Sequence, residues 1–369
     1  MARILNFPRR QTAAEMAPDD ALCAAREYFE RFGDGETRQD ERTPSDPNVL
    51  TALFALLRDS WETCPQRVSD MSVEIHGALN RASGKVGLFD ERQYFLGESA
   101  LIAATSLRFM GRNADASRWL DRADMSFRRT INPAPCLANV SYARLTISFV
   151  ENRFEDLLEL LPALTQEFRN LQMHLEADKC EFLMARTLLG LGRKVEAVER
   201  LEQLSSSAAL SSDAALYGNV LTYLGNTYSE AGRYEEAARV YDHALPAVVK
   251  SGRTGLAAAL KWSYGDTSRS LGKLEQAVSL YRAAQHDFAA AGMTNYVAML
   301  HLVNAESLLA LSRPREAEWE ILAALPTIEE QKMVPEGFAA VALLKESVRR
   351  RKTDPNALRE LREHLQKQN

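Results

Sequence analysis

Apolar residues recur along this chain at helical spacing, with no run alternating apolar and polar residues and no Asn-Gly hairpin turn of the kind strands require. Leu22, Ala25, Phe29 and Phe32 predict a helix over Asp19–Phe32. Leu53, Leu56, Leu57 and Trp61 predict a second over Val49–Trp61, and Val68, Ser72 and Ile75 a third over Pro65–Arg81. Residues 33–48 contain no apolar side chain and hold Pro44 and Pro47, so they read as a polar loop. A short insertion around Ser83–Gly87 separates these helices from the rest of the chain.

Beyond residue 90 the pattern acquires a period. A punctuation point followed by a basic residue recurs at Gly111-Arg112, Asn152-Arg153, Gly192-Arg193, Gly232-Arg233, Gly272-Lys273 and Ser312-Arg313, at offsets of 41, 40, 40, 40 and 40 residues. Four and five residues after each point stand Asp115-Ala116, Asp156-Leu157, Glu196-Ala197, Glu236-Ala237, Gln276-Ala277 and Glu316-Ala317. Nine residues after it comes a large apolar side chain: Leu120, Leu161, Leu201, Tyr241, Tyr281 or Ile321. Three features in register over six copies predict a helix ending at the punctuation point, a tight turn, and a second helix whose first turn carries an acid favoured by the helix dipole. The alanine lets the two helices approach, and the large residue is the knob that seals the pair against its neighbour. Each pair leaves apolar faces uncovered, so the pairs must stack. The expected fold is all-α, a right-handed α-solenoid of stacked antiparallel helix pairs.

Leu224-Gly225-Asn226-Thr227-Tyr228, then Ala231-Gly232-Arg233-Tyr234-Glu235-Glu236-Ala237-Ala238, then Tyr241 and Ala244, resemble a tetratricopeptide repeat. The resemblance covers roughly residues 92–345, and the copy around Asn152 lacks both the glycine and the alanine. A 40-residue repeat is longer than the roughly 34 residues usual in that family, which implies longer helices or longer links. In this the chain is similar to the long-repeat members found in bacterial regulatory proteins and kinesin light chains. The resemblance implies a protein that binds peptides or segments of other proteins.

The expected organisation is a disordered tail over residues 1–18, a helical N-terminal cap or degenerate repeat over 19–90, the solenoid over 91–345, and a basic C-terminal capping helix over 346–369. That last helix would open at Asp354-Pro355 and align Leu358, Leu361 and Leu365.

Composition and charge narrow the function by exclusion. Fifty acidic and 45 basic residues give a net charge of −5, which does not suit a chain that wraps nucleic acid. Residues 19–60 carry ten acids against five bases, so a DNA-reading segment there is disfavoured as well. No window approaches the roughly 18 apolar residues of a membrane span, and the N-terminus lacks a signal-peptide core, so the expected location is cytoplasmic. Cys23, Cys64, Cys136 and Cys180 form no C-x-x-C pair and read as ordinary buried thiols. The six histidines make no H-x-x-x-H pair, and G-x-S-x-G, G-x-x-x-x-G-K-[ST] and G-x-G-x-x-G are absent. No catalytic residue, metal ligand or cofactor site is expected, and the chain is not read as an enzyme.

In the family that the chain resembles, one stripe of the first helix of each pair faces the concave groove. Stepping back 3, 6, 10 and 13 residues from each punctuation point follows such a stripe. Its residues of mixed character are Asn139, Tyr142 and Thr146, then Lys179, Phe182 and Arg186, then Asn219, Thr222 and Asn226, then Trp262, Asp266 and Arg269. Aromatic anchors beside amide, hydroxyl and guanidinium donors suit an extended or helical peptide. Family members that grip a C-terminal carboxylate pair lysine with asparagine; here Thr222 stands where the lysine would, beside Asn226. The expected function is a non-catalytic interaction or scaffold module for another protein or peptide, with a ligand-responsive regulatory receptor as the alternative and self-association as a third reading.

Overall fold

The structure is a computed structural model that describes residues 18–33, 46–61, 64–81, 89–207 and 209–352. The expected N-terminal tail, most of the polar loop, the insertion at Ser83–Gly87 and the Asp354–Leu365 helix lie outside the described residues. Among those described there is no strand. The chain divides into two compact units, residues 1–183 and 184–369.

The first unit begins with α1 (Pro18–Gly33), α2 (Pro47–Ser60) and α3 (Pro65–Arg81). These fall within two residues of the boundaries the apolar spacing predicts. Asp46 caps α2 by accepting from the backbone N–H groups of Asn48 and Val49. Leu50, Leu53, Phe54, Leu57, Val68, Met71 and Ile75 bury together with Phe95 and Leu96 of α4 (Phe89–Phe109), so the opening helices share a core with the first repeat. α5 (Asn113–Phe127), α6 (Ala134–Val150) and α7 (Phe154–Asn170) continue the stack. α8 (His174–Gly190) contains the division between the units.

The second unit continues with α9 (Lys194–Ser205), a short 3-10 turn at Leu210–Ser212, then α10 (Ala214–Glu230), α11 (Tyr234–Lys250), α12 (Thr254–Ser270), α13 (Leu274–Ala290), α14 (Thr294–Ala310), α15 (Pro314–Glu330) and α16 (Val334–Lys352). α16 runs through residue 346, so the described part of the expected capping segment is the end of this helix.

The forty-residue period has a simple geometric origin. From α10 to α15 every helix is 17 residues long and every connector three, so two helices with their two connectors fill one period. The extra length relative to a 34-residue repeat therefore lies in the helices. All six punctuation residues have left-handed backbones: Gly111 at φ 73°, Gly192 at 74°, Gly232 at 75° and Gly272 at 72°, with Asn152 at 57° and Ser312 at 59°. At Gly232 the turn is a Schellman motif. The Arg233 N–H donates to Tyr228 O at 2.9 Å and the Gly232 N–H to Ser229 O at 3.0 Å, which satisfies the last carbonyls of α10. A second left-handed series, at Gln172, Gly252, Gly292 and Lys332, lies twenty residues out of phase and turns α7, α11, α13 and α15 into the helix that follows each.

The basic residue after each point also gains a reason. It occupies the N-cap of the second helix and, except at Lys273, where Gln276 stands, pairs with an acid three residues on. Arg193 Nε reaches Glu196 at 2.7 Å, Arg233 Nε reaches Glu236 at 2.6 Å, and Arg313 Nε reaches Glu316 at 2.5 Å. These pairs lie at or near the surface, where water screens them, and so add little to stability. The core contributes far more. Ala116, Ala197, Ala237, Ala277 and Ala317 are fully buried, as are the knobs Leu120, Leu161, Leu201, Tyr241, Tyr281 and Ile321. Each such knob is worth roughly 1.5–3 kcal/mol of apolar burial. In the copy at Asn152, Leu157 fills the alanine position and is fully buried too.

The cysteines depart from expectation. Only Cys180 is buried; Cys64 and Cys136 are half-buried, and Cys23 is exposed on α1.

Candidate functional site

The stripe residues of the second unit come from α10 and α12, the first helices of successive pairs, together with Arg186 from the end of α8. Their roles differ. Asn226 accepts the Tyr241 hydroxyl through Oδ1 at 2.6 Å, and Asp266 accepts the Tyr281 hydroxyl through Oδ1 at 2.7 Å. Both therefore hold the buried knob of their own pair. Burial pushes the Tyr281 phenol well above its ordinary pKa, and the Asp266 hydrogen bond and charge push it further. The phenol stays neutral and donates. Arg269 stands 3.8 Å from Asp266 and reaches Glu306 of α14 at 2.8 Å, which links adjacent first helices across the stripe.

Thr222 and Phe182 are buried, at 6% and 7% exposure, so these two expected groove residues face the packed interior. The Thr222 hydroxyl donates to Gly218 O at 2.7 Å, which satisfies it inside its own helix. Asn219 is half-buried. Arg186 lies over the Tyr223 ring, its guanidinium 5.4 Å from the centroid. In the first unit Asn139, Tyr142 and Thr146 are half-buried on α6, and Thr146 donates to Ala143 O at 2.7 Å. Lys179, on α8, stands 3.9 Å from Glu176.

Trp262 and Asp266 are brought together in a cavity of about 390 Å³, within the range of small-ligand pockets. Gly255, Ala259 and Ser263 of α12 line it with them, as do Phe288 at the end of α13, Met293 in the next connector and Tyr296 in the first turn of α14. The Trp262 ring stands edge-on to Phe288 (6.2 Å, 90°) and to Tyr296 (6.2 Å, 72°), while Phe288 and Tyr296 stack at 5.1 Å. Lys261 and Asp287, at 2.5 Å and largely shielded, tie α12 to α13 beside it. Asp266 is the only charged residue in the lining. Sequence reasoning missed Phe288, Met293 and Tyr296 because they follow the half-period turn at Gly292 or sit just before it. That second series of turns is the signal that could have found them.

Among the described residues no group of three histidines, cysteines or carboxylates is placed to hold a metal ion, and no helix is long and apolar enough to cross a membrane.

Comparison with known proteins agrees with this architecture. A tetratricopeptide repeat signature matches residues 221–254. A Rap protein complexed with competence and sporulation factor superposes over 91% of this chain and 94% of its own, with a TM-score of 0.55 at 13% identity. A signal-transduction ATPase with numerous domains from Pyrococcus horikoshii, which carries a tetratricopeptide repeat sensor, matches 92% of this chain and 56% of its own length, with a TM-score of 0.57 at 13% identity. The Cut9–Hcn1 assembly of the APC/C matches 90% of this chain and 52% of its own, with a TM-score of 0.52 at 14% identity. No curated protein matches the chain by sequence. The fold defines an all-α helical-repeat protein built from stacked antiparallel helix pairs. Its repeats are of the tetratricopeptide type, in a 40-residue form.

Proposed function

We propose that this chain is a non-catalytic interaction module that holds a peptide segment of another protein along the stripe of its second unit, with one side chain of that segment seated in the Trp262 cavity. The observation that carries this reading is the pairing of aromatic walls with one carboxylate. Trp262, Phe288 and Tyr296 offer ring faces and edges, and the Asp266 carboxylate, which accepts the Tyr281 hydroxyl and stands 3.8 Å from Arg269, is the one charged group in the lining. A lysine or arginine side chain satisfies both features, its stem against the rings and its charge near Asp266. Asn219 and Arg269 supply polar groups along the same stripe for the peptide backbone. The Rap protein of the same fold, solved in complex with competence and sporulation factor, supports a binding role. The sensor described for the Pyrococcus horikoshii relative favours a regulatory variant of it, in which the bound segment acts as a signal.

The test is a peptide selection on the intact protein, followed by calorimetry on two variants. Gly255→Leu fills the cavity, since a Cβ there meets only Met293 Sδ, at 3.6 Å. Trp262→Ala removes its wall. Selected peptides are expected to carry a basic residue and to lose at least about tenfold in affinity for both variants, with helical content retained; loss of one good anchor side chain is of that order. Peptides that bind the folded variants as tightly as the parent protein would overturn the assignment.

A further inference from the structure

A second cleft, in the first unit, has the opposite electrostatic character. It lies among α3, α4 and α5, measures about 750 Å³, and is lined by His76, Arg92, Trp119, Arg122, Met125 and Arg129 together with smaller or uncharged neighbours. No carboxylate lines it. We propose that this cleft is a binding site for an acidic peptide segment of a partner protein, with carboxylates on Arg122 and Arg129 and an apolar side chain against Trp119 and Met125.

The charge is available because the nearby acids are engaged elsewhere. Asp121 of α5 pairs with Arg144 at 2.8 Å, and Asp124 pairs with Arg128 at 2.6 Å. Arg122 and Arg129 have no ion pair among the described residues. Arg122 is held over the Trp119 ring, its guanidinium 4.2 Å from the centroid, so the cation and the apolar surface are presented together. His76 meets the same ring edge-on at 5.1 Å and fixes its tilt. The imidazole is not a third cation. Burial, and then the charge of Arg122, lower its pKa, while Nδ1 lies 3.1 Å from Leu96 O. Arg92 is already committed to the end of α3, donating to Leu79 O at 2.8 Å and Asn80 O at 2.9 Å, and adds positive potential at the rim. Met125, at 56% exposure, and Val73, at 39%, leave apolar surface open between the charges.

Geometry favours a peptide over a small anion. The lining residues sit inside helices or at their ends, where backbone N–H groups are taken by helical hydrogen bonds, so no cradle of free amides converges as phosphate sites require. Arg122 lies inside α5 and Arg129 in the turn two residues past its end, so their backbones are on the order of 10 Å apart. Spaced so, the two guanidinium groups suit two separate carboxylates better than one small anion. Two acids three residues apart on a polyproline II segment, which has three residues per turn, lie on the same side of the chain about 9 Å apart and match it. The requirement for an apolar residue between them follows from Met125 and the ring edge of Trp119. This site is independent of the Trp262 cavity.

The experiment uses the full chain and an array of extended dodecapeptides carrying two acidic residues three apart with a leucine between them, beside matched neutral and basic sets. Binding is read by fluorescence anisotropy. The acidic set is expected to bind, and the double variant Arg122→Glu with Arg129→Glu is expected to weaken it by at least tenfold while keeping the circular dichroism spectrum. Arg239→Glu with Arg315→Glu, an equal charge change on the second unit, is expected to leave it within twofold, as is Gly255→Leu. Three outcomes overturn the proposal: no preference for acidic over neutral peptides, equal weakening by the Arg239 and Arg315 pair, or full competition by millimolar inorganic phosphate or ATP. The last would reassign the cleft to small anions.

Discussion

The Tyr281 hydroxyl donates to Asp266 at 2.7 Å, and the same bond recurs one repeat earlier, where Tyr241 donates to Asn226 at 2.6 Å. In both pairs the residue before the acceptor is a glycine lying against the tyrosine ring. A Cβ on Gly265 would stand 2.5 Å from Tyr281 Cε1, and one on Gly225 would stand 2.5 Å from Tyr241 Cε1. Where the knob is smaller, as in Leu201 or Ile321, the matching position sixteen residues earlier is Ala185 or Ala305. In five of the six copies the contact therefore keeps its volume, glycine with tyrosine and alanine with an aliphatic knob; the copy at Asn152 departs from this, with Leu145 opposite Leu161.

Gly265→Ala is accordingly expected to destabilise the protein by about 1–3 kcal/mol, the usual cost of overpacking. Tyr281→Leu should cost less when combined with Gly265→Ala than when made alone, because the double variant restores the pairing used in the neighbouring repeats. Urea denaturation of the parent, the two single variants and the double variant, followed by circular dichroism, measures this coupling. Additive losses would show that the contact is not volume-limited.

Asp266 has two roles that substitution can separate. Asp266→Asn keeps an acceptor for Tyr281, as Asn226 does for Tyr241, so the loss in stability should stay near 1 kcal/mol, about the difference between a charged and a neutral hydrogen-bond partner. The same change removes the cavity's only charge and should weaken a basic peptide about tenfold. Asp266→Ala should impair both. A basic peptide that binds the Asp266→Asn variant as tightly as the parent would mean that the carboxylate is not a ligand contact.

The sequence was informative where a backbone conformation demands particular residues. Left-handed turns select glycine, asparagine or, less readily, serine, and a basic N-cap residue recurs with them, followed in five of six copies by an acid three residues on, so six helix pairs stand out in the sequence. The intervening turns escaped because Gln172 and Lys332 adopt φ of 58° and 53° without the usual side chains, and only Gly252 and Gly292 mark the rest. The candidate site was half legible. Trp262 and Asp266 lie on the expected stripe, but their partners Phe288 and Tyr296 come from other helices, and helical phase alone did not distinguish open positions from Thr222 and Phe182, which packing covers.

The cysteines provide a check on packing that is independent of any ligand. Burial pushes the Cys136 thiol up to about 11 and the Cys180 thiol up to about 12. At pH 8 their thiolate fractions are on the order of one in a thousand or less, whereas Cys23 is exposed on α1. Native-state alkylation followed by mass spectrometry should label Cys23 first and spare Cys136 and Cys180 until the protein is unfolded. Fast labelling of Cys180 would mean that α8 opens locally.

Glu320 of α15 is the most densely bonded carboxylate among the described residues of the last pairs. It lies 2.5 Å from His301 Nδ1, accepts from Asn304 at 2.8 Å and from Gln285 at 3.1 Å, and so ties α13, α14 and α15 together. Burial by itself would raise its pKa, but the His301 and Gln285 hydrogen bonds and the nearby charges of His301 and Arg282 outweigh that and hold it below the usual carboxylate range. Because the folded pKa is the lower one, the ionised carboxylate contributes stability above the unfolded value, near 4.3, and that contribution disappears as pH falls through the folded value. Glu320→Gln is therefore expected to cost about 1–3 kcal/mol at pH 7, and the gap from the parent protein should narrow as the pH is lowered below about 4. Thermal unfolding of both proteins at pH 7 and at pH 3.5 measures the gap directly. A gap that stays constant across that range would place its cause in side-chain packing instead of charge.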